Sequence, residues 1–127
     1  MTKEDWLENY IGAFNRGDFD GFTSFYDDDV VLHLGQKAQV RGRQGIRDFY
    51  TKVFERIRET LKVEQVVLDE TGLACIISTE FHALEDWPDF IAGPIKAGES
   101  IFIESYIFYI IGSNGKFTEI RTTRSKG

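Results

Sequence analysis

The sequence predicts an α+β fold in which a curved antiparallel sheet wraps around helices and encloses a small, mostly apolar pocket. Two observations of period carry this: apolar residues recur at helical spacing in the first half of the chain and at strand spacing in the second. The third is aromatic content, with eleven Phe and five Tyr among 127 residues. Rings in that number imply a packed interior or a lined cavity, and a chain of this length can build a real core.

Thr2 followed by Asp5 forms a capping pair that opens a helix. Trp6, Leu7, Tyr10, Ile11 and Phe14 then mark its apolar face, and Gly17 suits the left-handed cap that closes it. Asp18 caps a second, short helix carrying Phe19, Phe22, Phe25 and Tyr26. After Asp27-Asp28-Asp29, Val30 to Leu34 reads as a strand, and Gln36 to Arg41 returns beside it. Gly42 punctuates, and a third helix follows. Ile46, Phe49, Tyr50, Val53, Phe54 and Ile57 lie on its inner side, and Arg47, Lys52, Glu55 and Glu59 on a solvated side.

From Leu61 the period becomes that of strands, expected at 61–69, 73–85, 100–111 and 116–124. Asp69-Glu70-Thr71-Gly72 and Gly112-Ser113-Asn114-Gly115 are turn signals, so these strands form an antiparallel meander. The stretch 86–99 holds Trp87-Pro88-Asp89-Phe90 and Gly93-Pro94 and is too long for a hairpin turn. Trp87 and Phe90 make it either a hydrophobic lid or a loop anchored by its own rings. The order is ααββαββββ. The strand 100–111 is apolar on both faces, with Phe102, Tyr106 and Phe108 on one and Ile101, Ile103, Ile107 and Tyr109 on the other. A one-sided sheet would alternate with polar residues. One face is therefore expected to line the pocket, and the other to meet a second subunit in a homodimer.

The formal net charge of −6 and the lack of a basic stripe argue against a nucleic-acid partner and against anionic membranes. Cys75, the only cysteine, lies in an apolar run and is expected to be a buried, inert thiol. The charged amino terminus is unlike a signal peptide, and the apolar run from Tyr106 to Ile111 is too short to cross a bilayer, so a cytoplasmic location is expected.

The element order, together with RGDFDGFTSFYDDDVVLHLG (16–35), RGRQGIRDFY (41–50) and the closing hairpin YIIGSNGKFTEIR (109–121), resembles the nuclear-transport-factor-two-like superfamily. That superfamily includes ketosteroid isomerases, limonene-epoxide hydrolases, scytalone dehydratase and SnoaL-like polyketide cyclases. The resemblance covers nearly the whole chain. It implies one SnoaL-like domain over 1–127, a cone-shaped half-barrel of the cystatin-like kind. Such a fold hosts enzymes, ligand binders and interaction modules alike.

A ketosteroid isomerase moves a proton with a carboxylate base and holds the dienolate with a Tyr and a protonated Asp. Anchored on Gly17-Asp18, the resemblance puts the catalytic tyrosine on Tyr10, the base on His33 or Leu34, and the protonated aspartate on Ile107. It turns Ile76, Ser78, Glu80 and His82 toward the cavity, with Ile103, Ser105, Ile107 and Tyr109 on the next strand. Ile120, Thr122 and Arg124 follow on the last, and Phe14 joins from the first helix. The Asp–Arg–Asp set of the epoxide hydrolases and the late-strand carboxylate of the SnoaL-like cyclases have no counterpart here.

His33 and His82 both sit within apolar strands, where an imidazole of near-neutral pKa can act as a general base. Glu80 and His82 are two apart and share a face, so the carboxylate can orient the imidazole. No metal is expected, because His33, His82 and Glu80 lack ligand spacing, and no cofactor is implied. The expectation is a cofactor-independent isomerase, cyclase or dehydratase acting on an apolar carbonyl or hydroxyl compound. His33, Tyr10, Glu80 and His82 would be its catalytic groups, and Arg124 a rim residue able to meet an acidic ligand. The other reading is a non-catalytic dimeric module for a hydrophobic ligand or a partner protein.

Overall fold

The structure, a computed structural model, describes residues 1–126. A first helix, α1 (3–16), is continuous but changes pitch, with a π-helical stretch at Trp6–Ile11 between the α-helical Lys3–Asp5 and Gly12–Arg16. Thr2 Oγ1 accepts from the Asp5 N–H at 3.0 Å, and Gly17 ends the helix at φ 72°, where a Cβ would be strained. The wider π turn directs Trp6, Tyr10 and Ile11 inward and leaves Leu7 39% exposed, off the buried stripe where helical spacing put it. Helix α2 (Phe19–Thr23) starts on the Asp18 carboxylate, which accepts from Gly21 N–H at 3.0 Å. Helix α3 (Arg43–Arg56) follows Gly42, whose φ of 84° again requires glycine.

Six strands complete the fold: β1 (Tyr26–Leu34), β2 (Ala38–Arg41), β3 (Ile57–Leu68), β4 (Gly72–Ala83), β5 (Ser100–Ile111) and β6 (Phe117–Lys126). They form one curved sheet in the order β2-β1-β6-β5-β4-β3, not closed into a barrel. Neighbours are antiparallel except β1 and β6, which run parallel. The mixed α+β class and the meander from β3 to β6 are as the sequence predicts.

Two boundaries are corrected. The strand β1 begins at Tyr26, four residues before the first valine. The third helix stops at Arg56 rather than running through Glu59, because Ile57 takes an extended conformation (φ −130°, ψ 134°) and opens β3. Helix and strand join with no Gly or Pro between them. Ile57 serves both periods, since it continues the Val53–Phe54 stripe and begins the strand alternation.

The helices pack into the concave face of the sheet. Trp6, Phe22, Tyr26, Ile46, Leu73 and Phe117 are fully buried in the main core. A smaller core joins Val53, Ile57 and Ala83 to Phe90 and Ile95 of the 86–99 loop. Asn15 ties α1 to the free edge of β3: its Nδ2 donates to Leu61 O (2.9 Å) and its Oδ1 accepts from Leu61 N–H (2.8 Å).

Candidate active site

A cavity in two adjoining chambers lies between the sheet and the helices. The outer chamber, of about 210 Å³, opens between the turn after β1 and the 86–99 loop. The inner one, of about 130 Å³, ends against the rings of Tyr10, Phe14, Tyr26 and Tyr109. Leu34, Tyr50, Glu59, Thr79, Phe81, Ser105 and Thr122 line both, so the polar groups at the junction are Glu59 and a few hydroxyls.

Strand parity decides what reaches this space. In β4 the inward set is Leu73, Cys75, Ile77, Thr79, Phe81 and Ala83, and in β1 it includes Val30, Leu32 and Leu34. The set Ile76, Ser78, Glu80 and His82 therefore lies on the outer face, contrary to the expectation from the resemblance. A shift of one residue moves every side chain of a strand to the opposite face. His33 is on the outer face for the same reason, and Leu34 occupies the inward position. Gln39 Nε2 donates to His33 Nδ1 at 3.2 Å, and His33 Nε2 lies 3.5 Å from a Glu119 carboxylate oxygen. Ser100 Oγ donates to Glu80 Oε2 (2.9 Å) and accepts from His82 Nδ1 (2.9 Å). Ser78 Oγ donates to Glu64. Four candidates thus hold one another, or their neighbours, outside the cavity.

The other expected positions face inward. Tyr10, Phe14, Ile107, Tyr109 and Ile120 line the inner chamber, Ile103 and Arg124 the outer one, and Thr122 both. Phe90 is buried and lines the mouth, while Trp87 packs on it at 5.0 Å between ring centroids and carries the Arg56 guanidinium on its face. The loop is thus anchored by its own rings and also roofs the cavity.

Glu59 is the residue that helical spacing placed in solvent. On β3 it lies across from Phe81, and its carboxyl has no hydrogen-bond or ion-pair partner among the described residues. Desolvation pushes its pKa up to about 8. It remains partly accessible because it borders the cavity and an adjoining cleft of Phe14, Asn15 and Phe54. Tyr10 and Tyr26 share a hydrogen bond of 2.8 Å between their hydroxyls. Burial drives the pKa values of Tyr10, Tyr26, Tyr50 and Tyr109 well above the usual 10, so all four stay neutral donors. The Thr79 and Ser105 hydroxyls also have no protein partner among the described residues. Among those residues, no three His, Cys, Asp or Glu side chains converge as a metal site. Cys75 is buried, with its thiol pushed up to about 12.

A helix-filled α+β cone with six strands in one curved, open sheet defines the class, a nuclear-transport-factor-two-like fold. Within it the chain belongs to the SnoaL-like domain family, whose model matches residues 7–120. It is similar to a SnoaL-like polyketide cyclase from Agrobacterium tumefaciens (TM-score 0.77, 24% identity, 99% of this chain and 93% of that one). A candidate polyketide cyclase from Pseudomonas putida gives a TM-score of 0.81 at 22% identity, over 97% and 91% of the two chains. A protein of the same fold and unknown function from Burkholderia pseudomallei gives 0.74 at 13% identity, over 98% and 92%. No curated protein sequence matches.

Proposed function

We propose that the chain is a cofactor-independent enzyme that moves a proton within a small apolar carbonyl or hydroxyl compound, in the manner of an isomerase, cyclase or dehydratase. The observation that carries this is Glu59, an unpartnered carboxyl in an apolar cavity with a pKa of about 8. General acid–base catalysis works best with a pKa near the working pH. At pH 7 the Glu59 carboxyl is roughly nine-tenths protonated, and the remainder is a desolvated base. Glu59 therefore replaces His33, Glu80 and His82 in the proton-transfer role.

The carboxylate of Glu59 takes a proton from the carbon beside a carbonyl, and the electron pair moves onto the carbonyl oxygen. A neutral tyrosine hydroxyl of the Tyr10–Tyr26 pair, with Thr79 and Ser105, donates to that oxyanion. Glu59 then returns its proton to another carbon, giving an isomer, or to a departing hydroxyl, giving a dehydrated product and water. The two chambers lie at the small end of ligand-sized cavities, which run from about 300 to 1,000 Å³. A compound of one or two rings suits them. The domain is further proposed to span 1–127, to act in the cytoplasm, and to pair with a second copy of itself.

Nitrobenzisoxazole, which opens when a base removes its ring proton, tests the proton-transfer role without knowledge of the natural substrate. The expected rate rises with pH through about 8. Glu59→Gln lowers it by at least about 100-fold, the ordinary share of a general base, whereas His33→Ala and His82→Ala leave it unchanged. A Glu59→Gln protein as fast as wild type defeats the proposal.

A further inference from the structure

We infer that the pocket takes a small apolar carboxylic acid, its carboxylate held by Arg124 at the mouth and its ring body lying beneath the 86–99 loop toward Glu59. This names a substrate class for the site proposed above, and rests on that reading for the role of Glu59 alone.

The charge distribution at the mouth carries the inference. The protein has a net charge of −6, yet beside the neutral Tyr50 the ionisable groups lining the outer chamber are Lys37, Arg124 and Glu59. Glu59 is mostly neutral there, so the mouth is locally cationic. Arg43, Arg47, Arg56 and Arg121 are each paired with a carboxylate. Arg16, Arg41, Arg58 and Arg124 have no such partner among the described residues, and of these four Arg124 is the one that lines the outer chamber. Its position on β6, two and four residues beyond Thr122 and Ile120, puts it on their inward face. Lys37 is fixed across the opening, where its Nζ donates to Ile91 O at 3.2 Å. Behind these cations the wall is apolar, made by Phe49, Val53, Phe81, Phe90 and Ile103.

A guanidinium presents two parallel N–H groups that match a carboxylate. An apolar molecule with one carboxylate satisfies both the wall and the mouth. The negative charge of the protein as a whole opposes such a ligand only weakly, because salt screens exposed charges beyond about 8 Å.

Isothermal titration with 2-naphthoate and its near-isosteric amide, 2-naphthamide, tests this. The acid should bind at least about tenfold more tightly, as a charge-assisted hydrogen bond warrants. Arg124→Gln should erase that difference while leaving the amide affinity and the melting temperature unchanged, and Arg124→Lys should retain part of it. Equal affinity for acid and amide overturns the inference, as does a preference that survives Arg124→Gln or a failure of both compounds to bind. None of these outcomes alters the nitrobenzisoxazole result for Glu59→Gln, so the substrate class and the proton-transfer role fail separately.

Discussion

A free glutamate gives up its proton near pH 4.5, but Glu59 holds it to about 8 because burial takes its anion out of water and no cation lies within ion-pair distance of it among the described residues. The folded state therefore binds one more proton than the unfolded chain between these values. With the folded pKa raised, the contribution of Glu59 to stability is fully present below about 4.5. It is lost as pH rises through about 8. Wild-type protein should thus lose roughly 2–4 kcal/mol between pH 5 and pH 9 from this group, allowing for water in the cavity. Glu59→Gln should flatten that slope and be the more stable of the two at pH 9. Denaturant titrations at both pH values check this, and parallel slopes for the two proteins would contradict it. The tyrosines behave differently, since their raised pKa values keep them neutral at every pH of interest.

At the scale of elements, the helices, the meander and the caps were legible because each has a local cause. Thr2, Gly17 and Asp18 act within four residues of themselves. The faces of the strands were legible too, but in the alternation rather than in the resemblance. Leu73, Cys75, Ile77, Thr79, Phe81 and Ala83 form a more apolar set than Ala74, Ile76, Ser78, Glu80 and His82, and the apolar set is the more buried one. Val30, Leu32 and Leu34 separate from His33 in the same way. A family alignment slipped by one residue reverses that result. Glu59 was hidden for another reason: the switch from α3 to β3 has no Gly, Pro or polar turn to mark it. At helical spacing Glu59 falls on the solvated side with Glu55. Counting the alternation Ile57, Glu59, Leu61, Val63 back from β3 was the signal available, because it places a lone carboxylate on an otherwise apolar face.

Across the whole molecule, the concave side of the sheet is filled by helices and the convex side is bare. On that outer face Phe102 is 68% exposed, Val67 54%, Tyr106 51% and Phe108 48%. Rings this exposed, side by side on one sheet, exceed what a monomer usually presents to water. A second copy meeting the same face would cover them in an isologous contact. Light scattering at micromolar concentration should accordingly give twice 14.6 kDa. Phe102→Asp combined with Tyr106→Asp should halve that mass without unfolding the chain. A wild-type mass of 14.6 kDa would contradict the dimer and leave the cavity as described.

Glu59, rather than a histidine, is the group proposed to titrate against the substrate. Carbon-13 NMR of protein labelled at glutamate carboxyls measures this directly, with the Glu59 signal assigned by its absence in Glu59→Gln. One glutamate should titrate near pH 8, apart from all the others. A Glu59 signal that titrates near 4.5, among the exposed glutamates, would contradict it.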